Sequence, residues 1–206
     1  MKFNLRDPTT IFLVLANLAV IAMALWLNWN LLDLLWVYWW QSVIIGFFTF
    51  FKILSLKDFS TKGLTFSAYV GTNRKEIKLG KGANVFVAFF FAFHYGFFHI
   101  VYAFFLGSLP FGISANFSYV AFAALLFFIT HLFSFLYYMK RPKKRQNIGM
   151  MMFVPYKRIV PMHLTIIAGG LLAAGTVLLV IFLLLKTAVD VAMHSIEHEA
   201  QQPNKL

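Results

Sequence analysis

The sequence predicts an all-α membrane protein that folds as a single domain, a bundle of five transmembrane helices. Hydrophobic residues make up 61% of the 206 residues and aromatic residues 19%, which is more than a soluble domain usually carries. Five apolar runs are each long enough to cross a hydrocarbon core of about 30 Å, which needs about 20 helical residues. These predicted spans are residues 9–27, 33–54, 84–106, 117–138 and 162–186.

The loops between the spans alternate in charge, and this alternation predicts the topology. Of the 18 Lys and Arg residues, 16 fall on one set of loops, and only Lys186 and Lys205 fall on the other. Because basic loops stay in the cytoplasm, we expect the N-terminus inside, the C-terminus outside, and cytoplasmic loops at 55–83 and 139–161. The prediction is a multi-pass protein of the plasma (cell) membrane whose basic loops contact anionic lipid, with no nucleic-acid partner.

The first span has some features of a signal peptide. Lys2 and Arg6 precede it, and Ala22–Ala24 resembles a cleavage site. The apolar run continues to Leu27, however, so we predict an uncleaved anchor. All five Trp residues surround the short loop 28–30, as an interfacial belt would, and a stacking site for a flat ligand is the alternative. These residues are Trp26, Trp29, Trp36, Trp39 and Trp40.

The two predicted cytoplasmic loops and the last span differ in pattern. Residues 64–70 alternate apolar and polar before the turn signal Gly71–Asn73, which predicts a small β-hairpin or a segment lying on the membrane surface. In the second loop, the apolar island Met150–Val154 is predicted to dip into the membrane interface. Span five carries several glycines, which predict close helix packing, with a homo-oligomer through that face as the alternative. These glycines are Gly169, Gly170 and Gly175.

Strong hydrogen-bonding side chains cluster near the middle of four spans. With a rise of 1.5 Å per residue from each midpoint, six of them fall within about 6 Å of the midplane. They are Asn17, Gln41, Ser42, His94, His99 and His131. Such groups are costly in hydrocarbon and normally face one another or a cavity, so this slab is the predicted working part of the protein.

Two of these histidines suggest a specific chemistry. His94 and His131 lie at nearly the same depth on neighbouring antiparallel spans, so we predict that they share a metal ion, ligate a haem or form a proton relay. Imidazole suits zinc, copper and iron. His99 is a further candidate ligand and shares a helix face with Tyr95 and Tyr102, while the amide and hydroxyl groups of the slab would orient the ligands. The alternative is that these residues only hold the helices together.

A second constellation lies near the end of the chain. Asp190, His194 and His198 are spaced by four, which places them along one helical stripe at a spacing compatible with zinc. Asp33 begins span two on the same predicted side and is a possible fourth member. The alternative is the polar face of a solvated helix end.

Three sequence blocks carry a resemblance to known proteins. Trp40–Gly46, His94–His99 and Pro155–Thr165 resemble an uncharacterised family of small prokaryotic multi-span membrane proteins. The resemblance covers most of the chain and implies a multi-span helical fold, without a function.

A looser likeness is to the membrane hydrolases that include the alkaline ceramidases. That resemblance implies a zinc-dependent hydrolase in which Ser42, Asp190, His194 and His198 take the roles of the polar and zinc-binding residues. The chain departs from that pattern because it has five predicted spans rather than seven, and because Gly46 occupies the place of a histidine four residues after the serine.

These observations leave three classes of function open. The first is an intramembrane protein that binds zinc, another transition metal or haem. The second is a carrier or channel-like protein for a lipid or small molecule, with a polar midplane cavity. The third is an assembly partner whose histidines only stabilise packing. Whether the protein is an enzyme is left open, but the absence of cysteine excludes disulfides, thiolate metal sites and cysteine nucleophiles.

Overall fold

Four long helices dominate the computed structural model, which describes residues 8–70, 73–77, 79–80, 82–108, 114–140, 145–157, 159, 187 and 191. These helices are α1 (Pro8–Trp26), α2 (Leu31–Leu54), α3 (Ala83–Gly107) and α4 (Phe117–Lys140). All four are long and apolar enough to span a membrane, and their bounds agree with the predicted spans to within two residues. The chain is therefore a helical membrane protein, and the fifth predicted span, 162–186, lies outside the described residues.

The central helix of the described bundle is α2. It packs extensively against both α3 and α4, α1 packs against α4, and α3 and α4 have little direct contact. This position explains why α2 is the most buried of the four helices, with Leu34, Val37 and Ile53 completely enclosed. The outer faces of α1, α3 and α4 instead expose Phe, Leu and Ile, as helix faces in contact with lipid tails do.

Asp33 organises one end of the bundle, which we call the Asp33 end. Asn30 is the N-cap of α2, and its side chain accepts a hydrogen bond from the Asp33 backbone while Asp33 Oδ2 accepts one from the Asn30 backbone. Asp33 Oδ1 also accepts a hydrogen bond from the Asn116 backbone N–H at 2.6 Å, and Asn30 Nδ2 donates to the Ser114 carbonyl at 3.1 Å. The α1–α2 and α3–α4 connections are thereby joined.

The opposite end, which we call the hairpin end, carries the predicted β-hairpin. Strands β2 (Phe66–Val70) and β3 (Asn73–Ile77) pair antiparallel, which confirms that prediction. The sequence did not predict a second, parallel pairing between β1 (Phe59–Ser60) and β4 (Gln146–Asn147), because two-residue strands have no periodicity to detect. This pairing joins the α2–α3 loop to the segment that follows α4.

Residues 148–157 form a further helix, α5, where the sequence predicted a cytoplasmic loop up to residue 161. Ile148 and Met152 are buried in a cluster with Ile53 and Val87, and the Tyr156 ring packs against Tyr95. The island Met150–Val154 is part of this helix. From residue 148 the chain therefore packs one face of α5 against α2 and α3, while Met150 and Phe153 on its other face are exposed.

Candidate functional site

A cavity of about 490 Å³ lies between α2 and α3 and opens along the side of the bundle. We call it the α2–α3 groove. At one end it is lined by Trp39, His99 and Ile100, and at the other by Phe51 and Phe89. Its lining is almost entirely carbon. From residue 100 to residue 89, α3 advances about 16 Å, so the groove runs along the bundle axis toward the hairpin end.

Three polar side chains form a hydrogen-bonded cluster, the Ser42–Tyr95–His99 cluster, at the inner wall of this groove. His99 Nε2 lies 2.9 Å from Ser42 Oγ, and Tyr95 Oη lies 2.7 Å from the same hydroxyl. Tyr95 Oη is also 3.1 Å from the Ser42 carbonyl oxygen, to which it can donate. All three residues are buried, and the cluster joins α2 to α3 at the middle of both helices.

The surroundings of His99 fix its tautomer. Its Nδ1 lies 2.8 Å from the Tyr95 carbonyl oxygen, which can only accept, so Nδ1 carries the proton. In the neutral imidazole Nε2 is then the acceptor, and the Ser42 hydroxyl donates to it while accepting from the Tyr95 hydroxyl. Trp39 Nε1 donates to the His99 carbonyl at 2.9 Å. Every polar atom of the cluster is thus satisfied, which is what a hydrocarbon environment requires.

Gly46 makes this arrangement sterically possible. A Cβ at this position would lie 2.5 Å from Tyr95 Cε1 and 2.8 Å from Tyr95 Cδ1. The missing side chain lets the Tyr95 ring lie directly on the α2 backbone, one turn from Ser42. The same glycine occupies the place of the histidine expected for the ceramidase-like pattern, so its role in this chain is to admit a tyrosine ring.

The other residues expected to orient the ligands lie on α1, α2 and α3. Asn17 is buried in α1 and donates to the Leu13 carbonyl at 2.9 Å. Gln41 is buried in α2. Tyr102 is half-buried at the edge of the cluster of apolar residues shared by α1, α2 and α4.

The structure does not bring His94 and His131 into contact among the described residues. His94 Nδ1 lies 2.8 Å from Tyr156 Oη on α5, and its ring is stacked on Phe90. His131 lies on α4, on the other side of the central helix α2. The predicted shared metal or haem centre stays a prediction, with no described contact that supports it.

The other predicted metal ligands are either engaged in hydrogen bonds or outside the described residues. In the described part of the chain, no group of three or more His, Cys, Asp or Glu side chains is close enough to hold a metal ion. Both ring nitrogens of His99 already have protein partners, and both carboxylate oxygens of Asp33 accept backbone hydrogen bonds. The predicted zinc residues Asp190, His194 and His198 lie outside the described residues, as do Gly169, Gly170 and Gly175.

The sequence identified every member of the polar cluster but not their pairing. Ser42 and Tyr95 were expected to support histidine ligands that included His99. In the structure Ser42 Oγ bonds to His99 Nε2, and Tyr95 reaches His99 through the Ser42 hydroxyl and through its own carbonyl oxygen. The signal was present in the spacing, because Trp39, Ser42 and Gly46 lie on one stripe of α2, and Tyr95 and His99 on one stripe of α3. His94 was paired with His131 because the two residues lie at similar depth. Depth carries no information on which face of a helix meets which neighbouring helix.

Comparison with known protein families identifies the chain's family. Residues 2–206 match a family of unknown function, DUF6498, and the chain therefore belongs to this family. The match confirms the predicted membership of an uncharacterised family, and it lends nothing to the likeness to alkaline ceramidases. No curated protein and no solved structure matches the chain.

Proposed function

We propose that this member of the DUF6498 family binds one chain of an anionic membrane lipid in the α2–α3 groove, and acts as a lipid-binding or lipid-carrying protein of the plasma membrane. Family membership assigns no activity, so the proposal rests on the geometry. The observation that carries it is the carbon-lined cavity of about 490 Å³, open along the side of a bundle of membrane-spanning helices.

The groove suits a flexible apolar chain in both size and chemistry. Its volume lies within the range of about 300–1,000 Å³ that is typical of small-molecule sites. Aromatic side chains line most of it, and Ala92 and Gly96 leave space where larger residues would close it. The polar cluster does not oppose an apolar ligand, because its hydrogen bonds are satisfied internally.

The charge distribution favours an anionic headgroup at the hairpin end. The groove ends there at Phe51 and Phe89, close to the C-terminus of α2 and the N-terminus of α3. The loop between these helices contains six of the chain's 18 basic residues, at positions 57, 62, 74, 75, 78 and 81. With the N-terminus inside, this end faces the cytoplasm, where anionic lipids attract basic segments.

Native mass spectrometry of the protein released from its membrane tests the proposal. Ala92→Trp places a bulky side chain in the groove, whereas Ala121→Trp adds the same side chain to an exposed position on α4. We expect the wild-type protein and Ala121→Trp to retain an anionic phospholipid and Ala92→Trp to lose it. Equal retention in the two variants, or equal retention of zwitterionic phosphatidylcholine, would contradict the proposal.

A further inference from the structure

We propose that α5 carries Lys157 into the membrane interior, where His94, Tyr156 and Lys157 form a hydrated binding site for a small carboxylate anion. This site is separate from the α2–α3 groove. Neither His94 nor Tyr156 lines the groove, and α5 meets the groove wall only through the contact of the Tyr156 ring with Phe91 and Tyr95. The inference does not depend on lipid binding.

The contacts of α5 show how far the chain returns into the bundle. Ile148 and Met152 lie beside Val87 near the start of α3, and the Tyr156 ring lies 5.3 Å from the Tyr95 ring, measured between centroids. The helix therefore runs alongside α3 and in the same direction. Residue 95 is about 18 Å from the first residue of α3, so Tyr156 meets α3 near its midpoint.

Lys157 follows Tyr156 directly and carries a charge to nearly the same depth. Its side chain is exposed, and within the described residues it has no ion pair with a carboxylate. The described acid closest to the membrane interior is Asp33, which lies at the opposite end of the bundle with both oxygens engaged. Charged side chains within a membrane normally pair or face a water-filled cavity, so Lys157 marks a functional position.

The neighbouring groups suit an anion. Tyr156 Oη and His94 Nδ1 are joined by a hydrogen bond of 2.8 Å at an exposed position, next to the lysine in sequence. A phenol, an imidazole and an ammonium group together supply several donors and one full positive charge. A carboxylate offers matching acceptors and the opposite charge, and charge-assisted hydrogen bonds of this kind are about twice as strong as neutral ones.

Single-cysteine variants test whether the site is hydrated, since the chain has no cysteine of its own. Lys157→Cys probes the site. Phe93→Cys is the control at matched depth, because Phe93 is 78% exposed on the apolar face of α3, and Thr65→Cys is the control in an exposed loop. A negatively charged methanethiosulfonate applied to proteoliposomes should modify Lys157→Cys at least about tenfold faster than Phe93→Cys, because only a hydrated thiol ionises readily.

Anion binding is measured by thermal unfolding of proteins that retain Lys157, in comparison with Lys157→Gln. Sodium formate, exchanged for sodium chloride at constant ionic strength, should raise the unfolding temperature of the wild type and of Lys62→Gln to a saturating value, and should leave Lys157→Gln unchanged. Modification of Lys157→Cys as slow as that of Phe93→Cys would overturn the inference. A formate effect that persists in Lys157→Gln, or stabilisation by anionic phospholipid vesicles but not by formate, would also overturn it.

Discussion

At the scale of single residues, the polar groups of the Ser42–Tyr95–His99 cluster are placed so that each has a partner. Ser42 illustrates the rule, because its hydroxyl donates to His99 and accepts from Tyr95. Hydrogen bonds between membrane helices average only about 0.6 kcal/mol, since the separated helices also find partners. The main effect of the cluster is therefore to define the register and rotation of α2 relative to α3, and its contribution to stability is small. The cluster forms only because Gly46 leaves space for the Tyr95 ring.

Gly46→Ala should disrupt this fit. The added methyl group would overlap the buried Tyr95 ring, and overpacking of this kind costs about 1–3 kcal/mol. The unfolding free energy in detergent micelles should fall by that amount. Gly96→Ala is the matched control because a Cβ there meets nothing within 4 Å, and its effect should stay within about 1 kcal/mol. Equal losses in both variants would contradict the role of the Tyr95 contact, because the gain in helix propensity from glycine to alanine is the same at both positions.

Asp33→Asn should destabilise the Asp33 end. Both carboxylate oxygens accept backbone hydrogen bonds, from Asn30 and Asn116, and an amide retains only one acceptor oxygen. Leaving a partly buried N–H without its acceptor costs up to about 1–3 kcal/mol, which thermal unfolding would detect. Asp58→Asn is the control, since the Asp58–Arg145 ion pair is exposed and contributes about 0–1 kcal/mol. A loss for Asp58→Asn as large as for Asp33→Asn would count against the assigned role.

At the scale of secondary-structure elements, the hairpin is attached to the membrane domain by aromatic contacts. The Phe66 ring at the start of β2 makes edge contacts with Phe86 and Phe90 of α3, with centroid separations of 5.0 and 4.8 Å. The turn residues and cross-strand register specify a hairpin locally, but a two-stranded hairpin is at best marginally stable alone. Its docking on α3 therefore determines whether it is ordered.

Phe66→Ala should release the hairpin without unfolding the bundle. We expect faster amide hydrogen exchange across residues 66–77 and unchanged exchange in α2, because the substitution removes both ring contacts. Phe93→Ala is the control, since it truncates a similarly large side chain on the exposed face of α3. Exchange in the hairpin that is the same for both variants would mean that other contacts hold it.

At the scale of the whole molecule, the loops are sorted onto two ends. Asn30 and Ser114 meet at one end, and β1 and β4 pair at the other. This is the sorting that alternating spans require, and it agrees with the loops grouped by charge in the sequence. Which end faces the cytoplasm follows from the positive-inside rule and remains a prediction.

Cysteine labelling tests that orientation. Ser114→Cys and Thr65→Cys place single thiols at exposed positions of the Asp33 end and the hairpin end. A membrane-impermeant maleimide should label Ser114→Cys in intact cells, and should label Thr65→Cys only after the membrane is permeabilised. The opposite pattern would invert the topology, and with it the leaflet assigned to the lipid headgroup.

The candidate site was only partly predictable. The sequence gives the depth of a residue in the membrane more directly than it gives the rotation of a helix about its own axis. Rise per residue placed Ser42 and His99 near one level, and the structure joins them. The same arithmetic favoured His94 with His131, which the described contacts do not join. Aromatic residues occur on every face of α3. Hydropathy alone therefore does not select which of these faces meets α2. The facing side chains, here Gly46 and Tyr95, select the rotation.

The sequence by itself determined that this is a multi-span helical membrane protein, where four of its helices begin and end, and where its hairpin forms. These features depend on apolar length and local turn chemistry. Only the tertiary structure decided that α2 is central, that Ser42, Tyr95 and His99 share hydrogen bonds, and that α5 returns beside α3. Those features depend on contacts between residues distant in sequence, where packing selects among helix arrangements of nearly equal hydrophobicity.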